Sequence, residues 1–224
     1  MKVLVIIISD NSQPTYSGCK KIWLEYMNQH PQFECWFIEY SENKENYQKE
    51  ANTFYLKGTE SYHPGIREKT IDCFEYFINQ DTKYDYMVRT NLSSLWNFRA
   101  LAKHLESQPK SGLYSGVIGN YKGIRYASGS GFIMTPDIVK KIVDNRHLCN
   151  QLNFIDDTDI GYMLSKLGIF PTPNLRTDIL NKDALNRLIY SDEVYHYRIK
   201  FINRDDEYMT ASHILGLIQS YSKQ

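Results

Sequence analysis

Val3 to Ile8 is an unbroken apolar run, which predicts a parallel strand covered on both faces, and the polar Ser9-Asp10-Asn11-Ser12 behind it predicts a turn. That is the opening of a βα unit. Between Ser17 and Asn28, Ile22, Trp23, Tyr26 and Met27 recur at helical spacing, and His30-Pro31 closes the helix. A second strand follows at Glu34 to Glu39. Ser41 to Glu50 is polar and charged and reads as a surface loop, Thr53 to Leu56 as a third short strand, and Glu60 to Gly65 as a turn. Helical periodicity returns from Ile66 to Asn79 through Ile66, Lys69, Thr70, Cys73, Phe74 and Phe77, and stops at Asn79-Gln80-Asp81. Tyr84 to Arg89 is again a strand, running into the polar Thr90-Asn91-Leu92-Ser93-Ser94.

Beyond Trp96 a helix is expected as far as Glu106, then short strands at Leu113 to Ile118 and Ile124 to Tyr126. Ala127-Ser128-Gly129-Ser130-Gly131 reads as a flexible turn, and Pro136-Asp137 starts a helix reaching Val143. Asn153 to Asp159 is acidic; a helix from Ile160 to Leu167 ends on Gly168 as its cap, and a last helix runs from Met209 to Tyr221. No repeat, linker or low-complexity tract interrupts the chain. The alternation predicts an α/β fold: a Rossmann-like, mixed, mostly parallel central sheet with helices on both faces, its ligands gathered at the carboxyl ends of the strands.

The chain of 224 residues suits a single domain over 1–224, because one core grows to roughly 250 residues before splitting. Its 26 basic and 26 acidic side chains cancel, so no global field draws it to nucleic acid or an anionic bilayer, and any phosphate site must be local. Aromatic residues reach 14%, a surplus that suits sheet interiors and the faces of sugars and that AT-rich coding explains equally well. The four cysteines show no CxxC spacing, so reduced thiols are expected rather than a zinc site or disulfide scaffold. The apolar run at Val3 to Ile8 is too short for a membrane span and lacks a signal-cleavage pattern, which sets the expectation of a cytoplasmic protein.

Tyr86-Met87-Val88-Arg89-Thr90-Asn91-Leu92-Ser93 carries an apolar strand through a basic-Thr pair into a polar triplet. In order along the chain stand also a turn with Tyr62 leading to Lys69-Thr70, the segment SGSGFIMT before a Pro-Asp helix start, IDDTDIGYMLSKLGIFP, and Tyr195-His196-Tyr197. In these pieces, from Val3 to Tyr197, the chain resembles the galactosyltransferase/Fringe-type β-1,3-glycosyltransferases, as a divergent member of viral or microbial origin. The resemblance implies a GT-A fold and an inverting transfer of a sugar from a UDP-linked donor to a hydroxyl of a glycan acceptor. No GxGxxG follows Val3 to Ile8, which argues against a dinucleotide-dependent dehydrogenase.

In that family an acidic triplet holds a divalent metal on the diphosphate; here Asn91-Leu92-Ser93 takes its place. Asn and Ser offer neutral oxygens where Mn²⁺ or Mg²⁺ beside a diphosphate needs anionic ones. Three options stay open: a metal held by Asn91, Ser93, His196 and water; its replacement by Arg89, Lys69 or Arg198; or an inactive site kept as a nucleotide- or glycan-binding module. A strand-end turn accounts for the same residues without any ligand. The resemblance makes Asp157, with Asp156 beside it, the base that activates the acceptor, and adjacent carboxylates raise one another's pKa. Asp159 reads equally as a helix cap.

On the donor side the architecture and the resemblance together point to Ser9, Asp10, Lys69, Arg89, Thr90, Asn91, Ser93, Gly129 and Ser130. Asn11 offers a base or ribose contact, and glycine at 129 permits close approach to a sugar. Each has a plain alternative: capping for Ser9 and Asp10, solvated charge for Lys69, an ordinary turn for Gly129-Ser130, and a satisfied structural histidine for His196. Trp96 and Trp36 offer stacking faces, with core packing the stronger reading for Trp36.

Overall fold

The computed structural model describes residues 1–10, 14–149, 154–191, 193–201 and 206–221. The strands are β1 (Val3–Ile8), β2 (Phe33–Ser41), β3 (Gln48–Glu50), β4 (Thr53–Lys57), β5 (Tyr86–Asn91), β6 (Ser94–Trp96), β7 (Tyr114–Tyr121), β8 (Ile124–Met134), β9 (Thr172–Pro173), β10 (Thr177–Ile179) and β11 (His196–Ile199). The helices are α1 (Pro14–Met27), α2 (Gly65–Ile78), α3 (Phe98–Glu106), α4 (Pro136–Asp144), α5 (Asp156–Lys166), α6 (Lys182–Asn186) and α7 (Glu207–Tyr221). They group into two units, one of Met1–Asp10, Gln32–Asn91 and Pro109–Asn174, the other of Asn11–Pro31, Leu92–Gln108 and Leu175–Gln224.

The first unit is built on an eight-stranded sheet in the order β3-β4-β2-β1-β5-β8-β7-β9. β1 runs parallel to β2 and β5, β2 to β4 and β7 to β9, while β8 is antiparallel to both neighbours. Every residue of β1 is buried, as its unbroken apolar run requires. Leu4, Ile6 and Ile8 join Phe54, Phe74, Phe77, Phe132, Met134, Ile138 and Met163 in one core to which α2, α4 and α5 contribute. Burying each such side chain contributes about 1.5–3 kcal/mol, so this core is the main source of the unit's stability. From β1 the chain builds β2 and β4 on one side and then returns to lay β5 on the other. The carboxyl ends of β1 and β5, with Ile8 in register with Asn91, therefore flank the point where strand order reverses.

The second unit has a three-stranded sheet, β10-β11-β6, with α1, α3, α6 and α7. Trp23 Nε1 donates to the Ser94 carbonyl at 3.0 Å, and the Tyr26 hydroxyl accepts from Phe98 N–H at 2.8 Å while its ring stacks on Phe98. The aromatic positions of α1 thus do core work, as their helical spacing implies.

Beside β6, β9, β10, β11 and α6, which the pattern does not predict, three segments differ from the sequence reading. The charged stretch after Ser41 contains β3, which borders β4 at the sheet edge. Ala127 to Gly131 is no turn but the middle of the continuous strand β8. Gly129 within it answers to close packing rather than to chain reversal, because a Cβ there would lie 2.7 Å from Arg89 Nη1, and on the facing helix α5 a Cβ on Gly161 would lie 2.9 Å from Tyr126 Cα. α5 begins at Asp156 rather than Ile160, so the acidic cluster forms its first turn, where the helix dipole favours negative charge. Its far end is as expected: Gly168 takes φ 72°, its N–H reaching Ser165 O at 3.1 Å and that of Ile169 reaching Leu164 O at 2.9 Å. The four cysteines are buried and unbridged. Among the described residues no helix is long and apolar enough to cross a membrane.

Candidate active site

β5 carries Arg89, Thr90 and Asn91 to its carboxyl end, β8 brings Gly129 and Ser130 alongside, and the first turn of α5 supplies Asp156 and Asp157. The Arg89 guanidinium pairs with Asp156, donates to the Gly129 carbonyl, and lies 5.7 Å over the Phe132 ring. Asp157 accepts the Gly129 N–H at 2.7 Å on one oxygen and the Thr158 N–H at 2.8 Å on the other. The residue Gly129 is therefore gripped at its N–H by Asp157 and at its carbonyl by Arg89. A Cβ there would stand 2.7 Å from Arg89 Nη1 and 3.1 Å from Asp157 Oδ2, so only glycine lets the acids, the arginine and the strand converge. Thr90 Oγ1 donates to the Ser130 carbonyl at 2.8 Å and ties β5 to β8 from within.

The two carboxylates sit in different surroundings. Asp156 has a cation against it. Asp157 is pushed above the usual carboxylate range, chiefly by burial and then by the charge of Asp156, against the pull of the Gly129 N–H and Arg89. Asp157 thereby has a raised proton affinity beside an arginine-paired neighbour, which suits general-base chemistry near neutrality.

A second cluster closes the carboxyl end of β1. Lys69 Nζ, from α2, donates to the Ser9 carbonyl at 2.9 Å and to both Glu60 oxygens at 2.8 and 2.6 Å. The Ser9 hydroxyl donates to Glu39 at 2.6 Å, and Glu60 also accepts the Tyr40 N–H at 2.8 Å. Lys69 is only 1% exposed, so it is not the solvated charge that its polar helix position allows. Burial pulls its ammonium below the ordinary value, while Glu60, Asp10 and Glu39 oppose that pull. Glu39 and Glu60 carry no sequence signal of this role, since they meet Lys69 and Ser9 only through the sheet. Because Arg89 and Lys69 are each engaged with a carboxylate, recruiting either to a diphosphate means breaking a buried ion pair.

Asp159 does not cap α5. It is fully buried and pairs with Arg67 of α2, which also bridges to Glu68, while Arg146 spans Glu68, Asp72 and Glu75. This network ties the first turn of α2 to the turn that bears Asp156 and Asp157.

The remaining candidates are divided. Asn91 ends β5 in the first unit, its Oδ1 buried without a hydrogen-bond partner among the described residues. Ser93 and His196 belong to the second unit, where the Ser93 hydroxyl donates to Glu207 at 3.3 Å and the His196 ring stacks on Trp96 with centroids 4.1 Å apart. Trp96 is 1% exposed, so its ring is core and offers no open face to a sugar. Arg198 stands on β11 in the same unit, and Asn11 lies outside the described residues. Among the described residues no three His, Cys, Asp or Glu side chains form a metal cluster, and Asn91 and Ser93 supply only neutral oxygens. That donor set does not fit a tightly held Mn²⁺ or Mg²⁺.

No protein-family model matches the sequence, and no curated protein matches it. Solved structures do. The chain is similar to a glycosyltransferase involved in the glycosylation of the major capsid of PBCV-1, with a TM-score of 0.59 at 10% identity over 95% of this chain and 100% of that one. It is similar also to the inositol-1-phosphate CTP transferase from T. maritima, with a TM-score of 0.52 at 10% identity over 96% of each chain. The galactosyltransferase LgtC, solved with donor and acceptor sugar analogs, gives a TM-score of 0.50 at 13% identity over 97% of this chain and 95% of that one. These likenesses define the fold: a mixed, mostly parallel sheet flanked by helices, of the GT-A glycosyltransferase kind.

Proposed function

We propose that the protein is a glycosyltransferase that moves a sugar from a nucleotide-diphosphate donor, UDP-linked by the family resemblance, onto a hydroxyl of a carbohydrate acceptor with inversion. The observation that carries this reading is the unequal acid pair at the carboxyl edge of a GT-A sheet: Asp156 neutralised by Arg89, Asp157 desolvated and raised in pKa. In a direct displacement the acceptor oxygen bonds to the anomeric carbon as the bond to the diphosphate oxygen breaks, and the acceptor proton passes to Asp157. The nucleoside diphosphate leaves. The solved structures of the same fold include two glycosyltransferases, one in complex with donor and acceptor sugar analogs, and an inositol-1-phosphate CTP transferase, and they support a donor of this class. The carboxyl ends of β1 and β5, with Ser9, Asp10, Thr90 and Asn91, are where a doubly wound sheet receives such a ligand.

Asn91 favours a second reading, a nucleotide- or glycan-binding module that no longer turns over, because the family's anionic metal ligands have become neutral. One experiment separates the two. Incubating the protein with UDP-glucose, UDP-galactose and their N-acetyl analogues, with simple glycosides as acceptors, is expected to release UDP. Stabilisation of the fold by UDP without any UDP release from any donor would favour the binding module instead.

A further inference from the structure

The loop at 58–64 leads into α2, and the buried Arg67–Asp159 pair holds the first turn of α2 against the first turn of α5. Tyr62 lies on that loop, just ahead of the α2 turn that this pair joins to the α5 turn bearing Asp156 and Asp157. It is 69% exposed, whereas Phe54, Phe74 and Phe77 of the adjoining elements are wholly buried. The loop is anchored on both sides of the ring: Ser61 Oγ accepts the Gly65 N–H at 3.1 Å, Glu60 holds Lys69, and the Thr59 hydroxyl donates to Glu42 at 2.6 Å. The Tyr62 phenol also senses the acids. Partial burial raises its pKa first, the charges of Asp156 and Asp157 raise it further, and Arg89 lowers it.

A large ring with little packing of its own, on a fixed loop beside two carboxylates, presents a flat apolar face edged by polar groups. A pyranose has the complementary form, with C–H groups on one face and hydroxyls around its rim. Of the two substrates in a transfer, the acceptor is the one that must bring a hydroxyl to the base. We propose that Tyr62 is the stacking platform for the acceptor's pyranose ring, holding that ring so that its nucleophilic hydroxyl faces Asp157. This deepens the transferase reading and rests on it. Tyr62 orients the acceptor and exchanges no proton; the ring, rather than the hydroxyl, does the work.

The test uses the full chain with Tyr62→Ala and Tyr62→Phe, and methyl β-glucoside, methyl β-galactoside and methyl N-acetyl-β-glucosaminide as acceptor probes. Saturation-transfer NMR reads binding of each glycoside, and kinetics with a UDP-sugar reads acceptor KM against kcat. Tyr62→Phe is expected to keep acceptor KM within about two-fold of wild type and Tyr62→Ala to raise it about five-fold. Saturation transfer to the glycoside should fade only in Tyr62→Ala, with stabilisation by UDP retained as proof of folding. A Tyr62→Ala protein that binds and uses acceptors like wild type would overturn the proposal, as would a Tyr62→Phe protein as impaired as Tyr62→Ala. If wild type consumes no donor, the transferase reading fails while the NMR arm still reads the ring; no glycoside signal from wild type overturns the platform itself.

Discussion

Asp156 and Asp157 are adjacent in sequence and unlike in chemistry, because Arg89 reaches one of them and burial governs the other. The sign of the pH dependence follows. A base must be deprotonated, so activity is lost as pH falls through the pKa of Asp157, which lies above the ordinary value of about 3.9. The charge of Asp156 is one of the causes that raise it. Asp156→Asn is therefore expected to shift the acid limb of kcat/KM to lower pH, and a limb unmoved by that substitution would mean that Asp157 is not the titrating base. The acid pair itself was readable from IDDTDIG. Its inequality was not, since Arg89 and Asp156 lie 67 positions apart and meet only when β5, β8 and α5 are assembled. Lys69 shows the same limit: its helix position was visible, its burial against Glu60 and the Ser9 carbonyl was not.

At the scale of elements, α5 sets the site by lying close on β8. Gly161→Ala would drive a methyl into Tyr126, backbone included, and overpacking of this kind costs about 1–3 kcal/mol. Urea denaturation is expected to show that loss as a lower midpoint with an unchanged slope. Arg67→Met leaves the fully buried Asp159 without its cation, a change that costs about 3–5 kcal/mol, and the double variant Arg67→Met with Asp159→Leu should recover much of it. Equal stability of wild type and Arg67→Met would contradict the role given to the pair. Apolar periodicity located α2, α3, α4, β1 and β5 to within a few residues, because each buries one stripe or both faces. It misread Ser128-Gly129-Ser130-Gly131 as a turn, because glycine selected for close approach looks in sequence like glycine selected for backbone freedom.

For the whole molecule, strand and helix alternation was enough to reach the α/β class, and the solved structures of the same fold agree with it while sharing 10–13% of residues. Side-chain chemistry at the site is far less determined by that fold. Under the proposed function Asn91 takes the place of a metal-binding carboxylate, so Mn²⁺ alone is expected to leave the melting temperature of wild type unchanged and to raise that of Asn91→Asp in the presence of UDP. A metal-induced rise in wild type without nucleotide would show a cation site that Asn91 and Ser93 do not explain. The most direct test of the central claim is UDP release from a panel of UDP-sugars with glycoside acceptors, comparing wild type with Asp157→Asn. Turnover by wild type and a fall of about 10²–10⁴-fold in Asp157→Asn, with UDP still stabilising the variant, is the expected result; undiminished turnover in Asp157→Asn would contradict it.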